Sequence, residues 1–217
     1  MKTDAQLKQD VISELKWEPA IHAGEIGVAV HNGIVTLAGH VGSYGEKWDA
    51  ERAAQRVFGV KALAIEIDVA LEVDSQRNDA DIAHAVQNVL HWTTYLPSND
   101  VNIMVEDGWV TLSGEVNWNF QRETAVAAIR YLKGVKGVSN DIGIRSQVYS
   151  GVIKSDIEAA LKRRAHSDAE HIGVDVQGAD VTLTGTVHSW FERDLVRNSA
   201  WGTPGVKKVV DNMVVAY

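Results

Sequence analysis

The chain has 217 residues, 45% of them apolar and 23% charged, with a net charge of −8 and no cysteine. The apolar share is that of a globular protein with a core. The acidic balance argues against a nucleic-acid partner, which selects clustered Lys and Arg, and against broad adsorption to an anionic membrane. Without cysteine there are no disulfides, thiolate nucleophiles or cysteine-based metal sites, and the redox compartment stays open.

The N-terminal stretch "MKTDAQLKQDVISELKW" has no apolar run of signal-peptide length and no small-residue cleavage site. No segment approaches the roughly 20 apolar residues that span a bilayer. A cytoplasmic location is therefore expected, with the periplasm as the alternative. The stretch reads as a helix: Leu7, Val11, Ile12 and Leu15 share one face, and Thr3-x-x-Gln6 has the form of a capping box. Ile26, Val28 and Val30 then alternate as in a half-buried strand, Asn32-Gly33 supplies a tight turn, and "VTLAGHV" at 35–41 is the returning strand. A second helix follows with Ala50, Ala53, Ala54 and Val57 inward, then a third strand through Val60, Leu63, Ile67 and Val69.

The series then starts again. "VTLSGEV" at 110–116 and "VTLTGTV" at 181–187 repeat the second strand, so that Gly39, Gly114 and Gly185 are 75 and 71 residues apart. "GVK" at 59–61, 134–136 and 205–207 has the same two spacings, which makes coincidence improbable. Copy two matches throughout: Ile82, Val86, Val89 and Leu90; Val101, Ile103 and Val105; the Asp107-Gly108 turn; Ala125, Ala128, Ile129 and Leu132; Val135, Val138, Ile142 and Ile144. Copy three has Ile157 and Leu161 after the capping box Ser155-x-x-Glu158, then Ile172, Val174 and Val176, the weaker turn Gly178-Ala179, and a last strand through Val206, Val209, Met213 and Val215. Its second helix is expected to break early, at Gly202 and Pro204. The order is α-β-β-α-β in each copy, with modules at 1–72, 79–146 and 153–217.

Gly39, Gly59, Gly114, Gly134, Gly185 and Gly205 are expected to be structural. For the Gly of the repeated strand phrase, the second helix approaching closely or a local bulge would exclude a side chain. Trp17 and Trp92 stand at the end of the first helix in copies one and two and are expected in the core or between copies. Trp109 faces Ile34 and Asp180 in the other copies and is expected to be partly exposed.

The phrases "GIVTLAGHV", "GWVTLSGEV" and "ADVTLTGTV", each followed some 20 residues on by "GV", resemble the BON domain, a bacterial module named for osmotically inducible and nodulation proteins. The resemblance covers nearly the whole chain, leaving "VDSQRN" and "SQVYSGV" as linkers. It implies an α+β fold, with two helices on one face of a three-stranded mixed sheet in each module. It also implies a non-enzymatic role in osmotic or envelope stress, with phospholipid or an envelope surface as ligand.

The residues offer no catalytic pattern. Eight histidines are scattered, none in an H-x-x-x-H pair, and neither a G-x-S-x-G elbow nor a phosphate loop is present. No cofactor or metal is expected. One pattern does recur. The turn before the second helix carries aromatics beside a cation in "SYGEKW", "NWNFQR" and "SWFERD", which supply Tyr44, Lys47 and Trp48; Trp118, Phe120 and Arg122; and Trp190, Phe191 and Arg193. Such residues suit a lipid headgroup boundary, where the ring enters the interface and the cation meets phosphate. They equally suit a hydrophobic staple at a helix start, or contact between copies or subunits. The leading expectation is a binding protein for an anionic phospholipid or membrane surface. The alternative is a cytoplasmic scaffold or ion-responsive module that binds protein partners or small cations. Modules this small bury a modest share of their surface, so the copies are expected to pack on one another or to form a homo-oligomer.

Overall fold

The computed structural model describes residues 2–96, 100–145, 159, 172–203 and 206–216. Module 1 contains α1 (Asp4–Trp17), β1 (Ile26–His31), β2 (Ile34–Val41), α2 (Tyr44–Arg56) and β3 (Ala62–Val69). Module 2 contains α3 (Asp79–Trp92), β4 (Val101–Glu106), β5 (Trp109–Val116), α4 (Asn119–Ile129) and β6 (Gly137–Ile144). Module 3 contains β7 (Ile172–Gln177), β8 (Asp180–Val187), α5 (Trp190–Trp201) and β9 (Lys208–Val215). The expected first helix of copy three, with Ser155, Ile157, Glu158 and Leu161, lies outside the described residues except for Ala159, which is helical. Pro204 and Gly205 lie outside them too.

Each module has its own three-stranded sheet with the repeated-phrase strand in the middle. That strand pairs antiparallel with its hairpin partner and parallel with the strand after the second helix. Alternation along the strands puts Val35, Leu37, Val110, Leu112, Val181 and Leu183 inward, each fully buried. In module 1, Leu7, Val11 and Leu15 of α1 and Ala50, Ala53 and Ala54 of α2 close over that same face. Module 2 repeats this with Ile82, Val86 and Leu90 of α3 and Ala125 and Ile129 of α4. The fold is the expected α+β arrangement of three tandem modules.

Local chemistry fixes the layout. Asp4 sits in the first turn of α1, and its two carboxylate oxygens accept the N–H groups of Asn32 (2.7 Å) and Gly33 (3.0 Å) at the hairpin tip. Asp79 holds Asp107 and Gly108 the same way, both at 2.9 Å. The helix start and the hairpin turn are thereby clamped together by charge-assisted bonds. At the other end of the module the third residue of the second helix reaches back. Glu46 accepts N–H groups from His22 (2.7 Å) and Gly42 (2.9 Å). Gln121 accepts those of Asn117 and Trp118, both at 3.0 Å.

Three expectations are corrected. A Cβ at Gly39 or Gly114 would collide with the backbone carbonyl of Glu25 or Asp100, just before the first strand, so the close approach is by that carbonyl and not by the second helix. Both glycines have positive φ, 141° and 111°, which adds strain for any other residue. Trp17 and Trp92 are not core: they are 84% and 82% exposed. Finally, the second helix of copy three, with 12 residues and Gly202 as its C-cap, is no shorter than the 11-residue α4.

Candidate functional site

The strand-to-helix turns meet one another. Tyr44, the first residue of α2, packs against the core of module 2, and its hydroxyl meets the backbone of Val138. Burial holds the Tyr44 phenol above its ordinary pKa, with nearby Arg130 opposing that shift. Next to it, Gly45 leaves room for the ring of Tyr131, whose hydroxyl donates to Asp49 Oδ1 at 3.0 Å. Trp48 carries two guanidinium groups: Arg130 of module 2 at 3.7 Å from its ring centroid and Arg52 of its own helix at 5.3 Å.

Module 3 meets module 1 in the same sense. Trp190, equivalent in position to Tyr44, packs against the module 1 core, and its indole N–H donates to the Val60 carbonyl at 2.8 Å. Asp194, equivalent to Trp48, binds Arg52 at 2.6 Å. A cavity of about 270 Å³ lies along this junction between Arg56, Gln55, Phe191 and Leu195. From module 2 to module 3 the contact is Arg122 near the start of α4, whose guanidinium lies 4.8 Å from the ring of Trp201 at the end of α5. Burial, with help from Arg197, pulls the Arg122 pKa below its ordinary value. In all three junctions the start of one second helix abuts the end of the next. The order runs 1 to 2, 2 to 3 and 3 to 1. The contacts thus close from module 3 back to module 1, with the second helices following one another head to tail. This alignment of opposite helix-dipole ends is favourable.

The cations of the three turns are engaged within the molecule. Lys47 donates to the Ile67 carbonyl at 2.7 Å, Arg193 binds Asp211 at 2.8 Å, and Arg122 is half-buried over Trp201. Tyr44, Trp48, Trp118 and Trp190 are half-buried, which leaves Phe120 at 50% and Phe191 at 66% as the exposed rings of the set. Phe120 stands edge-on to Tyr95 at 5.9 Å, and Tyr95 is itself 66% exposed. Gly59 and Gly134 take positive φ after the second helix, at 105° and 90°.

The exposed tryptophans were the residues missed. The core stripe of α1 runs through positions 7, 11 and 15. At about 100° per residue, Trp17 falls some 200° around from Leu15 and so points away from the core. That angle was present in the sequence. The Ser43 and Ser189 N-caps were also legible: each serine hydroxyl accepts the N–H of the glutamate three residues on, at 3.2 Å and 3.1 Å. Among the described residues no group of three or more His, Cys, Asp or Glu is placed to hold a metal, and no helix is long and apolar enough to cross a membrane.

Three small α+β units with well-formed cores, joined through aromatic and arginine contacts, define a tandem array of compact modules. Residues 3–70, 78–146 and 150–217 each match the BON domain, and the chain belongs to that family. It is similar to osmotically-inducible protein Y of Escherichia coli K12, 29% identical over 157 residues that cover 65% of this chain and 78% of that protein. Among solved structures it aligns with the C-terminal domain of CdsD, a structural protein of the type III secretion system of Chlamydia trachomatis. The two are 16% identical with full coverage of both chains, but a TM-score of 0.28 is too low to bear on fold or function. The PrgH periplasmic domain, at 10% identity, 95% coverage of this chain, 100% of that one and a TM-score of 0.22, is no more informative.

Proposed function

We propose that this chain is a non-enzymatic, stress-associated binding protein whose ligand is an anionic phospholipid or membrane surface. The observation that carries the reading is the pair Trp17 and Trp92. They occupy equivalent places at the C-terminal ends of α1 and α3 and stand 84% and 82% in water. Leaving two indoles exposed costs solvation that a bilayer interface would recover, because the ring is amphipathic and suits the headgroup level. Lys16, the residue just before Trp17, supplies positive charge beside that ring. The turn cations are spent on internal contacts, so of the turn residues Phe120 and Phe191 are the ones that would add area.

The similarity to an osmotically inducible protein supports the stress context. Vesicles of phosphatidylglycerol and phosphatidylethanolamine, against neutral vesicles, test the ligand. Tryptophan emission should shift to the blue on anionic vesicles and be quenched by brominated chains, more at low than at physiological salt. Emission that is unchanged on every vesicle would remove the membrane reading.

A second reading, an ion-responsive scaffold, draws on the junctions. Arg52 and Arg197 both bind Asp194, at 2.6 Å and 2.8 Å, and these pairs are partly open to solvent and hence to screening. A melting temperature that falls steeply with salt, together with no vesicle binding, would favour it.

A further inference from the structure

Among the described residues the helices of module 2 pack on one face of its sheet, and the other face carries Trp109. The ring lies across the neighbouring strand β6: a Cβ at Gly137 would collide with three atoms of its six-membered ring. Its indole N–H donates to Ser139 Oγ at 2.8 Å, which fixes the orientation. One ring face therefore rests on backbone and the other faces water, leaving the residue 49% exposed. Trp109 and Gly137 are direct cross-strand partners. The corresponding pairs are Ile34 with Ala62 in module 1 and Asp180 with Lys208 in module 3. The fold thus forms twice without this arrangement. A flat, immobilised ring on an open face therefore needs another reason.

The surroundings say what it suits. Thr111, Ser113 and Ser139 are half-exposed and Asn102 and Asp141 exposed on the same face. The register sets Thr111 between Ser139 and the 58% exposed Met104, and Ser113 between Asn102 and Asp141. Alternate residues on a strand are roughly 6.7 Å apart, so these rows continue from the ring over about 13 Å. They offer hydroxyl, amide and carboxylate groups. The neighbouring Arg145 lies 3.3 Å from Asp100 and 3.7 Å from Glu115, so two carboxylates offset its charge. An aromatic face is electron-rich and attracts the partly positive C–H bonds of a sugar ring. The acidic rim, with Glu106 and Asp141, disfavours anionic sugars.

We propose that the open face of the module 2 sheet binds a neutral oligosaccharide, with one pyranose ring stacked on Trp109 and its hydroxyls on Asn102, Ser113 and Asp141. A flat face buries less of a ligand than a cleft, so Kd is on the order of a millimolar.

The test is titration of the full chain with maltohexaose, chitohexaose and hexagalacturonate, with anionic vesicles as a separate arm, following the Trp109 indole N–H resonance where Trp109 is present and, in every variant, the backbone amide resonances of Asn102, Ser113 and Asp141. The account expects a saturable shift with a neutral hexasaccharide and none with hexagalacturonate. Binding should weaken at least tenfold in Trp109→Ala and persist in Trp17→Ala/Trp92→Ala. Gly137→Ala, which lifts the ring while keeping every functional group, should weaken binding as well. Ser139→Ala, which frees the indole N–H at little risk to the fold, keeps the test decisive if the tryptophan variant does not fold. No saturable shift up to 10 mM of either neutral sugar (about ten times the expected Kd), or binding unchanged in these variants, overturns the proposal. So does a Trp109 shift that follows the vesicles alone, since the face would then be a membrane contact.

Discussion

At the scale of single residues, the clearest devices are two carboxylates. Asp4 and Asp79 each receive two backbone N–H groups at a hairpin tip, a use that neither helix propensity nor turn type requires. Asp79→Ala should lower the unfolding free energy by about 1.5–3 kcal/mol, the worth of charge-assisted bonds lost to backbone donors; urea denaturation of the variant measures it. Tyr44 supplies a pH signature. Its phenol is held above its ordinary value by burial, so between pH about 10 and that raised value the folded state binds more protons than the unfolded one. Stability is therefore untouched at neutral pH and falls as pH climbs past about 10. Tyr131, raised in the same direction, adds to the slope. Melting curves taken from pH 9 to pH 11 (about one unit either side of the ordinary tyrosine value) should show this decline, and Tyr44→Phe should flatten it.

At the scale of elements, the second helices decide how modules join. Trp190 contributes ring area and an indole hydrogen bond to module 1, from 130 residues away in the chain. Trp190→Ala should cost about 2–4 kcal/mol at that junction, less than a fully buried tryptophan at the upper end of its range. Limited proteolysis should then cut earlier between modules 2 and 3, and unfolding should split into two transitions; a single transition at the wild-type midpoint would contradict the closure from module 3 back to module 1. The elements themselves were legible. Strand alternation, the Asn-Gly and Asp-Gly turns and the helical stripes each rest on local periodicity. What the turns do was not legible. Tyr44 and Val138, or Trp190 and Val60, belong to different modules and meet only once the modules are assembled, and no local pattern encodes such a meeting. The two helix-end tryptophans differ: their outward angle was readable, and apolar character was mistaken for burial.

At the scale of the whole molecule, three copies of one fold have taken different side chains at one set of contacts. Tyr131 on Gly45, Arg122 on Trp201, and Trp190 against Val60 are three solutions to the same junction. This divergence frees the outer surfaces to differ, with exposed indoles on modules 1 and 2 and a flat tryptophan on the module 2 sheet alone. The most direct measurement is a flotation assay with anionic vesicles. It compares Trp17→Ala/Trp92→Ala with Phe120→Ala/Phe191→Ala, each checked for an unchanged melting temperature. Half-burying two indoles, about 100 Å² each, is worth about 2.5 kcal/mol per ring. The account predicts that the tryptophan pair loses at least tenfold in vesicle binding and the phenylalanine pair much less. Wild-type flotation by the tryptophan variant, with loss in the phenylalanine variant, would return the contact to the strand-to-helix turns and contradict it.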